Sequence, residues 1–189
     1  MFLAALAACI LTASVASAQR VVVVEGGPVY DGPRLRAGIS LGGGGLFLNN
    51  YGVGLVGVDG RIGVQINNLI AVYGQPYLAL GGGGAGVGSS GFGTILGADA
   101  VVDFTLSNFL FFGVGGGAGA FIAPTAGGGG TNAGSAEQLL FRVGIYPIVA
   151  RYPRRARRSG LMVGADIRPF FISGATLIQA MGVIGFEAY

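Results

Sequence analysis

Residues 53–66, VGLVGVDGRIGVQI, set Val56, Val58, Ile62, Val64 and Ile66 at alternate positions, with Asp59, Arg61 and Gln65 between them. A period of two is the signature of an extended strand with one apolar and one polar face. The pattern recurs along the chain. Leu96, Ala98, Ala100, Val102, Phe104 and Leu106 oppose Asp99, Asp103 and Thr105. Leu139, Phe141, Val143, Ile145 and Val149 oppose Gln138, Arg142 and Tyr146. Val163, Ala165, Ile167 and Phe171 oppose Asp166 and Arg168. Every mid-strand charge in these stretches falls opposite the large aliphatic side chains, so a one-residue slip in pairing would turn all of them over at once.

Eight such apolar segments cover residues 34–48, 53–66, 69–83, 93–106, 109–122, 137–149, 160–172 and 175–189. Each is longer than the ~9–11 residues a tilted strand needs to cross a bilayer. Only 10% of the 189 residues are charged, 52% are hydrophobic, and the 39 glycines are interleaved with Val, Ile, Leu and Phe. That composition excludes a disordered chain and is too apolar for an ordinary soluble domain. Ahead of the segments, residues 1–18 form an uncharged apolar stretch ending Ala16-Ser17-Ala18, the small-x-small pattern of a secretory signal. Leu6-Ala7-Ala8-Cys9 has the form of a lipoprotein box, but only eight residues precede the cysteine. Cleavage after Ala18 removes the one cysteine, and with it disulfides and thiolate metal sites. Residues 19–33 read as a short leader with turns at Gly26-Gly27-Pro28 and Asp31-Gly32-Pro33.

The separators differ in kind. Asn67-Asn68 and Ser107-Asn108 are short and suit tight hairpin turns, whereas GAGVGSSGFG (84–93) and APTAGGGGTNAGSA (123–136) are longer and glycine-rich. Short turns at one rim and longer loops at the other characterise outer-membrane barrels. The expectation is an all-β, eight-stranded antiparallel up-and-down transmembrane barrel. The competing architecture is a glycine-rich polytopic helical protein, since only helices and closed barrels satisfy backbone groups in lipid. Gly113 and Gly117 stand at the GxxxG spacing used in helix packing. Against helices, Asp59 and Arg61, and again Asp166 and Arg168, are two residues apart, which is one side of a strand but opposite sides of a helix. Five glycines between Gly113 and Gly119 also disfavour a helix.

Residues 34–189, with eight alternating segments, short Asn turns, a signal-like start and the C-terminal aromatic Tyr189, resemble the small bacterial outer-membrane barrels of the OmpA-domain and OmpX type. The resemblance implies an outer-membrane location, lipids as surroundings, and recognition of the C-terminal strand by the barrel assembly machinery. In that family the final aromatic residue faces lipid. Here Tyr189 shares parity with Gln179 and Glu187, opposite Ile178, Ile184 and Phe186, so either a bulge shifts the end of the strand or the signal is degenerate.

By parity the lumen holds Arg36, Asp59, Arg61, Asp99, Asp103, Arg142, Asp166 and Arg168, with Glu187, Tyr73 and Tyr77 also inward, and the inward Gly113, Gly115, Gly117 and Gly119 making room for them. Eight strands leave space for little beyond side chains, which predicts a plugged lumen. Chemistry is sparse. The chain has no His, so the His-dependent lipid hydrolases and acyltransferases that the fold brings to mind are excluded. Asp99 and Asp103 are ~13 Å apart along a strand, too far to share a proton, and read as lumen charges. Gly81-x-Gly83-x-x-Gly86 matches a dinucleotide fingerprint by spacing, yet no amphipathic helix follows, and the absence of Lys excludes a P-loop. No catalytic, metal or cofactor site is assigned.

The run RYPRRARR carries Arg151, Arg154, Arg155, Arg157 and Arg158, five positive charges against a chain total of +3. On a membrane protein it reads as a turn at anionic lipid headgroups rather than a nucleic-acid site. Counting strands from a periplasmic N-terminus puts it on the periplasmic rim. The expected function is that of a non-enzymatic, monomeric barrel acting in membrane integrity or through loop contacts. The alternative is a narrow conduit or binding site for small, hydrophobic molecules.

Overall fold

The structure, a computed structural model, describes residues 32–48, 51–82, 92–106, 109–124, 131–152, 157–172 and 174–189. Eight strands follow one another: β1 (Arg34–Leu48), β2 (Tyr51–Gln65), β3 (Ile70–Gly82), β4 (Phe92–Leu106), β5 (Leu110–Pro124), β6 (Thr131–Tyr152), β7 (Arg157–Ile172) and β8 (Ala175–Ala188). Each pairs antiparallel with the next and β8 closes on β1, so the sheet is an up-and-down barrel. The proposed signal and almost all of the leader lie outside the described residues.

The register fixes the barrel's shape. Direct cross-strand partners run Leu35, Val64, Val72, Val102, Val114, Phe141, Ile167, Ala180 and back to β1 at Gly45, a shear of ten residues. With eight strands this tilts the strands by roughly 40° and leaves a bore filled by side chains. The row just traced is apolar throughout, and most of it is exposed on the outer wall. Outward Phe104 and Phe112 stack at 5.0 Å near the end where β1 begins, and outward Phe47 and Phe171 lie near the opposite end. An apolar belt edged by aromatic rings is the exterior of a barrel in lipid.

Glycine allows two close approaches inside this curved wall. A Cβ on Gly44 or Gly117 would stand 1.9 Å from the carbonyl oxygen of Ala180 or Ala98, so no larger residue fits at either place. At the β7–β8 turn Gly174 has φ 80°, the left-handed conformation that only glycine adopts without strain.

Three features depart from expectation. First, β6 begins at Thr131, six residues earlier than the apolar pattern indicates, because Thr131, Asn132, Ala133 and Gly134 extend the backbone ladder opposite β5 without contributing aliphatic alternation. The 123–136 loop is correspondingly short. Second, loop length is not sorted cleanly by rim: β1–β2 and β7–β8 are joined by two residues each, at the same rim as the longer β3–β4 and β5–β6 connections. The β2–β3 turn is longer than the two-residue Asn67-Asn68 hairpin expected: residues 66–69 join the strands, Ile66 N donating to Ile70 O and Asn67 Oδ1 accepting from the amides of Leu69 and Ile70 at 2.8 and 2.7 Å. Ser107-Asn108 lies outside the described residues. Third, a register shift between Ile145 and Ile148, at Pro147, reverses the facing of the end of β6. Val149 therefore turns inward onto the cluster that contains Phe111, Tyr146 and Met162, and Ile148 takes the outward position.

Beyond Tyr146, which donates to Phe109 O, no described residue pairs with β6 on its β5 side, while the β6–β7 ladder continues to Tyr152 and Arg157. The two strands project past the rim as a hairpin. Pro147, the bulge and the arginines are features that discourage unwanted pairing at such an exposed edge.

Candidate functional site

The inward face of the barrel wall is a polar column with an apolar layer at the loop end. At the loop end, Leu55, Ala79, Ile95, Ala136 and Phe170 are buried, with Leu46, Phe121, Ile172 and Leu177 packed on them. A second cluster, Phe111, Tyr146, Met162, Met181 and Val183, is interleaved with the polar side chains, Met162 Sδ accepting from Arg61 and Arg142 and Met181 standing opposite Asp166 in the ladder. Strand alternation delivers the polar side chains into the lumen, and the shear of ten brings together residues far apart in sequence.

All eight charges assigned to the lumen by parity are there and buried. Glu187, Tyr73 and Tyr77 join them. Arg36 is the hub near the start of β1. Its Nη2 donates to Glu187 Oε2 at 2.6 Å, Asp103 Oδ2 at 2.9 Å and Tyr146 OH at 2.9 Å, and its Nη1 donates to Gln65 Oε1 at 3.1 Å. Tyr146 OH donates to Glu187 at 2.6 Å. One layer up, Arg61 donates to Glu187 Oε1 and Asp59 Oδ1, both at 2.7 Å, and to Ser40 Oγ at 2.6 Å, while Ser40 donates to Asp59 Oδ2 at 2.6 Å. Nearer the loop end Arg168 Nε donates to Asp99 Oδ2 at 3.0 Å and lies 4.4 Å over the Tyr77 ring. Gln138 bridges Asp99 and the Tyr77 hydroxyl at 2.6 and 2.5 Å. Asp99 and Asp103 thus serve different arginines, as lumen charges.

Arg142 is held differently. Its Nη1 donates to Tyr73 OH and Gln75 Oε1 at 2.5 and 3.0 Å, and its Nη2 reaches Met162 Sδ at 3.6 Å. Neither nearby carboxylate receives a direct hydrogen bond from it: Asp166 and Asp103 lie 3.7 and 4.0 Å from Nε.

Gln65, Gln75, Gln138, Ser40, Tyr146 and Met162 complete the network. Their parity placed them inward, but charge alone had singled out the site. Of the four inward glycines on β5, Gly113 and Gly119 do make room for polar side chains, with a Cβ falling 1.9 Å from Asp103 Oδ1 and 2.6 Å from Tyr77 OH. Gly115 and Gly117 instead lie against the backbone of β4. Isolated buried charges are strongly disfavoured, and here each is neutralised by neighbours rather than by solvent. A water-sized void lies beside Gly57, Gln179 and Met181. No trio of His, Cys, Asp and Glu among the described residues is placed to hold a metal ion. Gly81 of the glycine-rich motif is a buried strand residue against Leu55, and Gly83 and Gly86 lie outside the described residues.

The basic run lies on the projecting β6–β7 hairpin. Arg151 pairs with Arg158 and Tyr152 with Arg157 in the ladder; Arg154 and Arg155 lie outside the described residues. Arg158 occupies an inward position and is buried, its amide exchanging hydrogen bonds with the backbone of Tyr189. Tyr189 also faces inward, its ring 5.3 Å from the Arg36 guanidinium and 6.4 Å from the Tyr146 ring. No bulge intervenes in the β7–β8 or β1–β8 ladders, so the outward aromatic of β8 is Phe186.

No family model matches this sequence, and no curated protein matches it. Solved structures do. The chain is similar to the attachment invasion locus protein Ail of Yersinia pestis, crystallised with the heparin analogue sucrose octasulfate, at 15% identity and a TM-score of 0.57 over 84% of this chain and 99% of that one. It is similar to Neisserial surface protein A at 12% identity and a TM-score of 0.56, over 84% of this chain and 98% of that one. At these identities the likeness is one of fold, and the fold is that of the small eight-stranded outer-membrane β-barrels.

Proposed function

We propose that this chain is a non-enzymatic, monomeric barrel of the bacterial outer membrane whose role is structural, with a lumen closed to solutes and its interactive surface at the hairpin rim. The observation that carries the reading is the filled lumen: Arg36, Asp103, Asp166 and Glu187 are fully buried in a continuous ion-pair network, with an apolar layer above it at the loop end.

Two further features support a surface at the hairpin rim. The segments joining strands at the loop end, 49–50, 83–91, 125–130 and 173–174, contain no charged residue, so they carry no cation to pair with a sulfated ligand of the kind crystallised with Ail. The positive charge is gathered instead on the hairpin, where Arg151, Arg154, Arg155 and Arg157 suit the anionic headgroups of outer-membrane lipids, whereas Arg158, expected to join them, is buried and inward. The C-terminal strand is the element through which the barrel assembly machinery would engage the chain, reading Phe186 rather than Tyr189 on its lipid side.

Solute flux tests the reading against a conduit. Proteoliposomes containing the refolded barrel should release small sugars and entrapped apolar dyes no faster than empty liposomes. Rapid release of either would favour transport.

A further inference from the structure

We propose that residues 21–24, four consecutive valines of the leader, add as a strand to the edge of β6 at residues 148–152, on the projecting hairpin. From Ile148 to Tyr152 the β6 backbone pairs with β7 on one side, Ile148 opposite Leu161 and Tyr152 opposite Arg157. On the other side no described residue pairs with it, the last contact there being Tyr146 N to Phe109 O. Pro147 has no N–H, so the usable edge begins at Ile148. An extended segment can join such an edge through its own backbone hydrogen bonds.

Conformation, reach and charge together select the leader. The four valines are the longest run of β-branched residues in the chain, and such residues favour the extended strand. The ladder row Ala150, Ser159, Ala188, Ala37 joins the open edge to the beginning of β1, where the leader enters. Passing β8, β7 and β6, an added strand would lie four strand positions from β1, about 19 Å round the rim at ~4.8 Å each. Residues 25–33 connect the valines to β1 and span up to about 30 Å when extended, so the distance is covered. Residues 21–33 carry Glu25 and Asp31 and no basic residue, whereas the hairpin carries Arg151, Arg154, Arg155 and Arg157.

The same arginines disfavour a second copy of β6 as the occupant, since like charges would then face each other across the ladder. An acidic strand meets no such opposition. Pairing would cover the exposed edge and offset part of the hairpin's positive charge. It holds for either orientation of the barrel in the membrane, and so stands apart from the contact with lipid headgroups.

The test is NMR on the full chain folded in detergent micelles, reading amide hydrogen exchange and proton–proton contacts for the native sequence and for Val23→Pro. Proline at that position removes a ladder N–H and leaves every described strand unaltered in sequence. In the native chain, cross-strand contacts should join residues 21–24 to residues 148–152, and the β6 amides facing away from β7 should exchange slowly. In Val23→Pro those amides should exchange roughly tenfold faster or more, with the buried Val101 and Leu140 unchanged. Equal exchange in the two chains would overturn the proposal, as would contacts from the valines to another strand. Contacts to residues 148–152 that arise only between differently labelled copies would assign the edge to a second chain and overturn it as well.

Discussion

Gly113 and Gly54 are both strand glycines, yet their surroundings set opposite expectations. Gly113 faces the lumen with Asp103 and Arg142 pressed on it, whereas a Cβ on outward Gly54 meets nothing within 4 Å. Gly113→Ala should lower barrel stability by about 1–3 kcal/mol through overpacking of a polar network that has nowhere to move. Gly54→Ala should be neutral, or stabilising by about 0.4–1 kcal/mol, because it narrows the unfolded ensemble without touching the folded one. Urea unfolding in detergent, followed by tyrosine fluorescence, measures both. Equal effects of the two substitutions would mean that the lumen is looser than described.

The β6–β7 hairpin decides which face of the membrane meets the arginine cluster. With the N-terminus at the periplasmic rim, the connections after β2, β4 and β6 share that rim. In a Cys9→Ser background an Arg155→Cys variant should resist a bulky, membrane-impermeant maleimide in intact cells and react after the outer membrane is permeabilised. Labelling in intact cells would invert the orientation. This element also shows what the sequence carried and what it did not. Alternation placed β2, β4 and β7 to within three residues at each end and set all eight lumen charges inward, because charge and apolarity report directly on the face. The start of β6 was hidden, since a ladder built from Thr, Asn, Ala and Gly leaves no apolar signature. Val149 was assigned to the wrong face because a bulge at Pro147 resets parity without altering composition. Partner choice was equally invisible: Arg36 meets Glu187 across 151 residues only once the shear is set, and no local pattern encodes that.

At the scale of the whole molecule, closure is what every other feature depends on. The β1–β8 ladder runs from Ala37 opposite Ala188 to Phe47 opposite Ile178, which leaves neither terminal strand with a free edge over that length. Such a barrel should resist dodecyl sulfate until heated, migrating faster unheated than boiled, and its far-UV circular dichroism should show a strand minimum. A helical spectrum with no heat-dependent shift would contradict the fold itself. Closure and filling together make the central claim, that eight strands at a shear of ten enclose a continuous ion-pair network and no pore. Planar-bilayer recording on the refolded chain tests it most directly. The account predicts little or no current above the bare membrane across a range of applied voltages, and a large, steady open-channel conductance would contradict it.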